Sequence, residues 1–157
     1  MKKIFLILLC FVLMGCSKKV TSAKEVLEKE IKNNYPDSVI LCEKEEKEYY
    51  MSILKESNQV ILIILKKMDN GYDYFGSSSY DCTSNQNYGK YFYEDDESSM
   101  VVIFSENKAN YSQISLEYVN IENENEKLSI YYTNHDTYIL KLFLLPKEYD
   151  FINVNIE

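Results

Sequence analysis

Few side chains in this 157-residue sequence could do chemistry. His135 is the single histidine and stands in Tyr132-Thr133-Asn134-His135-Asp136-Thr137-Tyr138. A histidine beside an aspartate is a starting point for general-base catalysis. Asn-His-Asp is equally a turn-forming tripeptide, the residues on either side alternate as strands do, and no Gly-x-Ser-x-Gly nucleophile motif occurs in the chain. A turn is the expectation. Glu94-Asp95-Asp96-Glu97 offers the clustered carboxylates that a hard cation such as calcium needs, but neither this run nor Asp69-Asn70-Gly71-Tyr72-Asp73 has the alternating spacing closed by a glutamate. Both read as solvated loops. No catalytic residue, metal or cofactor is expected.

The four cysteines divide by position. Cys42 and Cys82 form no Cys-x-x-Cys pair, which leaves redox catalysis and zinc without a framework. In an oxidising compartment these two could join, closing a loop of about 40 residues for roughly 4 kcal/mol of chain-entropy stabilisation. Left unpaired, Cys42 would serve as a small apolar residue after Val39-Ile40-Leu41, and Cys82 as a loop thiol. Cys10 and Cys16 belong to a different pattern. Lys2 and Lys3 precede an uncharged apolar run from Ile4 to Met14, the layout of a secretory signal. As a helix this run would span roughly 16 Å, about half of a hydrocarbon core of about 30 Å, so it is too short for a permanent span.

Leu13-Met14-Gly15-Cys16 resembles the lipobox of bacterial lipoproteins. The resemblance covers residues 1–16. It implies that residues 1–15 are a signal peptide, that Cys16 becomes the new N-terminus with a thioether-linked diacylglycerol, and that the chain is held to the extracytoplasmic face of a cell membrane. Two acyl chains anchor stably where one binds only marginally. Residues 16–22 would form the lipidated tether, and Ser17–Thr21 could reach at most roughly 18 Å at about 3.5 Å per residue.

Charge narrows the partners. Cleavage before Cys16 removes two of the 17 lysines and none of the 25 acids, so the mature chain carries 15 lysines and a formal charge of −10. A phosphate backbone needs a basic face, so nucleic acid is not expected as a partner. The body would also be repelled by anionic lipid.

The segment from Gly71 to Tyr93 departs in composition from the rest. It holds Tyr72, Tyr74, Phe75, Tyr80, Tyr88 and Tyr91, three of the four glycines, and the polar runs Ser77-Ser78-Ser79 and Thr83-Ser84-Asn85-Gln86-Asn87. Rigid amphipathic rings among small hydrogen-bonding residues are the chemistry of adaptable recognition loops, suited to a protein, peptide or glycan at the envelope. The plainer expectation is a hairpin whose tyrosines cover the edge of the core.

These residues need a scaffold. Ser22-Ala23-Lys24-Glu25 fits a capping box, and Ala23, Leu27 and Ile31 share one face, which predicts an amphipathic helix over 23–34 ending before Tyr35-Pro36. Beyond it, 38–43, 48–55, 59–67, 72–75, 91–93, 100–104, 113–120, 127–133, 137–145 and 151–156 all read as strands, rich in β-branched and aromatic residues. Val60–Leu65 is apolar on both faces, as in a strand covered on both sides. The expected fold is α+β and mostly β, with the helix packed on an antiparallel sheet and a small sandwich-like C-terminal half. The acidic run suggests a boundary between an α+β subdomain over 23–97 and a β subdomain over 98–157, with one continuous domain over 23–157 as the alternative. The expected role is a non-catalytic binding or scaffolding lipoprotein. An inhibitor or immunity-type protein acting on an envelope enzyme is the alternative, and an envelope hydrolase fits least, given the lone histidine.

Overall fold

The computed structural model describes residues 20–83, 88–94, 98–106, 113–120, 125–131, 137–146 and 149–156. The signal segment, Cys16, most of its tether, the Ser84–Asn87 run, most of the acidic run and His135 lie outside the described residues.

Helix α1 spans Ala23–Asn34, as its periodicity predicts. Ser22 Oγ accepts from the Glu25 N–H at 3.2 Å, and the Ser22 N–H donates to Glu25 Oε2 at 3.0 Å, so the capping box satisfies donors that a helix start leaves open. At the other end the Tyr35 N–H closes on the Ile31 carbonyl before Pro36 stops the helix. Ala23, Val26 and Leu27 are buried.

Strands β1 (Val39–Glu46), β2 (Tyr49–Glu56), β3 (Gln59–Met68) and β4 (Gly71–Asp81) form one antiparallel sheet in the order β1-β2-β3-β4. Two-residue connections set their register, so Glu45 meets Tyr50, Tyr49 meets Lys66, and Lys67 meets Tyr72. Lys47 and Ser57, the first residues of two of these turns, take positive φ values of 57° and 53°. β5 (Gly89–Glu94), β6 (Ser98–Glu106) and β9 (Tyr138–Pro146) form a second antiparallel sheet. β10 (Tyr149–Ile156), β7 (Gln113–Asn120) and β8 (Asn125–Tyr131) form a third, in that order. The protein is α+β and mostly β, with ten described strands overlapping the ten expected ones.

Strand alternation decides the layering. On one face of the first sheet, Leu54, Ile61, Ile63 and Leu65 pack with Ala23, Val26 and Leu27 of the helix. On the other, Met51, Ile53, Val60, Leu62 and Ile64 join Met100, Val102 and Phe104 of β6 and Leu140 and Leu142 of β9 in one cluster. β3 is therefore covered on both sides, and Val60 to Leu65 are at most 1% exposed. The opposite face of the second sheet is buried as well, at Val101, Ile103, Ile139 and Phe143.

Strand pairing crosses the boundary expected at 97/98. β5 lies before it and pairs with β6 after it, from Gly89 opposite Phe104 to Glu94 opposite Ser99. The core cluster likewise draws residues from both sides.

Candidate functional site

The Gly71–Tyr93 segment is strand for most of its described length. β4 stays paired with β3 from Met68 opposite Gly71 to Gln59 opposite Asp81, with a bulge at Phe75. The Ser77-Ser78-Ser79 run lies inside this ladder, opposite Ile63, Leu62 and Ile61. Ser78, like Gly76, marks where the second sheet comes close, whereas Ser77 and Ser79 lie on the helix side opposite Ile63 and Ile61. A Cβ on Gly76 would overlap the Tyr91 phenol, and Ser78 Oγ donates to the Lys90 carbonyl at 2.8 Å. Glycine and serine here make space for packing, which composition alone does not separate from loop flexibility.

Tyr88 apart, the named aromatics split into three groups. Tyr80 is in the core, its ring tilted against Phe104 at 5.7 Å and its hydroxyl accepting from the Glu106 N–H at 3.1 Å. Phe75 and Tyr91 meet Tyr49 and Tyr93 at the end of the sandwich. Phe75 makes edge-on contacts to Tyr49 at 5.4 Å, Tyr93 at 4.6 Å and Tyr91 at 6.3 Å. Lys66 Nζ stands 5.5 Å from the Tyr49 ring and 5.6 Å from the Phe75 ring while pairing with Glu48 at 3.3 Å. Burial works against that ammonium, yet its bonds to Glu48 and Tyr49 hold its pKa above the ordinary lysine value. Lys66 thus takes one face each of Tyr49 and Phe75. Tyr49 and Lys66 were missed in the sequence, although the two-residue turn at Ser57-Asn58 places them opposite each other.

Tyr72 and Tyr74 form the third group, on the helix side. The Tyr72 hydroxyl donates to Glu45 Oε1 at 2.6 Å, its ring lies edge-on to Tyr50 at 6.2 Å, and Tyr50 donates to Glu43. Burial and the bond to Glu43 raise the Tyr50 pKa, and the bond to Glu45 raises that of Tyr72, so both phenols stay neutral donors. Tyr74 is 44% exposed and donates to Ser77 Oγ at 2.9 Å. Tyr88 is partly buried just before β5.

Beside Tyr74 lies a cleft of about 610 Å³ between α1 and the β3–β4 turn, lined by Thr21, Lys29, Glu30, Met68, Asp73 and Tyr74 among others. Thr21 is the fifth residue after Cys16 and is clamped at its rim. The Thr21 N–H donates to the Asn70 carbonyl at 3.1 Å, the Tyr72 N–H donates to the Thr21 carbonyl at 2.9 Å, and Thr21 bridges Gly71 in parallel. Gly71 permits this approach. Its φ is 114°, and a Cβ there would overlap the Thr21 carbonyl.

Cys42 and Cys82 are free thiols, so the pairing considered from the sequence is not made. Cys42 sits on β1 and Cys82 just past β4, at opposite edges of the four-stranded sheet. Three strand spacings of about 4.8 Å separate those edges by roughly 14 Å, twice the Cα separation of about 7 Å that a disulfide tolerates. Both pack against the core, and burial raises the Cys42 pKa. Among the described residues no group of three or more His, Cys, Asp or Glu could hold a metal ion, and no helix is long and apolar enough to cross a membrane. Compared with family models, curated proteins and solved structures, the chain matches none.

Proposed function

We propose that the chain is an extracytoplasmic lipoprotein, anchored by lipid on Cys16, whose acidic β body binds a partner at the cell envelope rather than transforming a substrate. The anchor rests on the Leu13-Met14-Gly15-Cys16 motif and its apolar leader. The observation that carries the reading further is the Thr21 clamp. It ties the chain to the β3–β4 turn five residues after Cys16, so the tether leaves the body at one defined pole. A lipid on Cys16 would hold that pole, with the Tyr74 cleft beside it, within roughly 18 Å of the membrane. The backbone hydrogen bonds of Thr21 support that orientation without any attraction between lipid and body.

Metabolic labelling with radioactive palmitate tests the anchor. The wild-type chain takes up label and stays with membranes through a high-salt wash, whereas Cys16→Ser takes up none and moves to the soluble fraction. Labelling of Cys16→Ser, or release of the wild type by salt, overturns the reading.

A further inference from the structure

The two edges of the first sheet are treated differently. At β4, which is also terminal in the sheet order, an isolated bridge ties Thr21 to Gly71 at the edge, and Ser78 reaches the Lys90 carbonyl from the sheet face. At β1, no strand pairs with the outer edge among the described residues. Such an edge presents backbone donors and acceptors ready for one more strand. Val39 and Ile40 are 64% and 42% exposed at its start, and a groove of about 590 Å³ runs there between them and Ile31 and Pro36 at the end of the helix.

Side chains along this edge specify what could add. Ile40, Glu43 and Glu45 pair with Leu54, Ser52 and Tyr50 on β2, and Leu41 is skipped by a bulge. Leu54 packs under the helix, so these three β1 residues share the helix side of the sheet. Glu43 and Glu45 each accept a hydrogen bond from a phenol, Tyr50 and Tyr72, which holds the carboxylate in place without offsetting its charge. On the other face, Lys44 and Glu46 neutralise each other at 2.6 Å. The helix side of the edge therefore reads apolar, acidic, acidic.

We propose that the outer edge of β1 is a docking strip for an extended basic segment of a partner protein, which adds as an antiparallel strand. An apolar side chain of the partner fills the groove beside Ile40, and two lysines or arginines at alternate positions meet Glu45 and Glu43. Antiparallel addition continues the pairing used throughout this sheet. A second copy of the chain is the poorer occupant, because self-pairing brings Glu43, Glu45 and Glu46 of both copies into one ladder with only Lys44 from each to offset them. Anionic lipid is poorer still against a mature charge of −10. The proposal deepens the binding role suggested above and rests on it, but not on the lipid.

The test uses the full chain in detergent micelles and a short synthetic peptide of alternating threonines carrying lysine, lysine and isoleucine at successive alternate positions. Fluorescence anisotropy should show binding that weakens about tenfold or more when both lysines become glutamate. Binding should be lost when the peptide's alternate amides on its pairing edge are N-methylated. Glu43→Lys combined with Glu45→Lys should invert the preference between the two peptides, with unchanged circular dichroism. Equal affinity for both peptides, indifference to N-methylation, or a concentration-dependent dimer that the peptide does not disperse would overturn the proposal. Cys16→Ser should bind the peptide as the wild type does, so failure here is separable from failure of the anchor.

Discussion

β1 and β4 are the two edges of one sheet, yet their composition and surroundings differ in every respect that matters. β4 is long, aromatic and serine-rich, and neighbouring backbone closes on it at Gly71 and Ser78. β1 is short and charged, with its outer edge unpaired among the described residues. Glycine and serine at an edge let other backbone approach. Alternating glutamates keep like strands away while leaving the hydrogen-bonding edge available. The bridge at one edge is a structural device and the open edge at the other is the surface proposed for docking, and substitutions can test that division.

The largest expected effect is at the closed edge. Gly71→Ala should destabilise the protein by about 3 kcal/mol, because it adds a Cβ at a positive φ and displaces the Thr21 carbonyl, loosening two backbone hydrogen bonds together. Chemical denaturation should show a lower midpoint, and amide exchange at Tyr72 should rise even under native conditions. A loss below about 0.5 kcal/mol would mean that the clamp contributes nothing and that the edges do not differ as described.

The next effect concerns the link between the edges, since Tyr72 of β4 reaches Glu45 of β1 across the face of the sheet. The folded pKa values of Tyr50 and Tyr72 are both raised, for Tyr50 by burial and its bond to Glu43, and for Tyr72 by its bond to Glu45. Their contribution to stability is thus fully present below the unfolded tyrosine value of about 10 and is lost as pH rises through the higher folded values. The melting temperature should fall above pH of about 10. Tyr50→Phe combined with Tyr72→Phe should flatten that fall. An alkaline decline just as steep in the double variant would show that the phenols do not tie the edges.

Much of the scaffold was legible because it rests on local rules. The capping box at Ser22 and Glu25, the Pro36 stop and the doubly apolar Val60–Leu65 each have a physical reading that needs no tertiary context. The candidate sites were less legible. Ser77-Ser78-Ser79 and Gly76 carry the composition of a loop, and only the packed layers show Gly76 making room for Tyr91, Ser78 meeting the Lys90 carbonyl and Ser77 bonding Tyr74 on the helix side. The open edge at β1 could not be read from Val39-Ile40-Leu41-Cys42, because those residues look like any core strand until the sheet order leaves them outermost. Cys82 was beyond the reach of Cys42 for the same reason, that sequence spacing does not fix sheet position.

The smallest effect sharpens the comparison most, because one substitution can be made at an edge and at the centre. Valine to threonine keeps the shape and exchanges a methyl for a hydroxyl. Val39 is 64% exposed on β1, where that hydroxyl meets water, so Val39→Thr should change stability by no more than about 0.5 kcal/mol. Val60 is fully buried on β3 among Met51, Ile53 and Leu62, so Val60→Thr strands the hydroxyl and should cost roughly 1–3 kcal/mol. Urea titrations of both variants give the difference directly. Equal losses would mean that the β1 edge is covered in solution, by a second copy or by chain outside the described residues, and its openness to a partner strand would be gone.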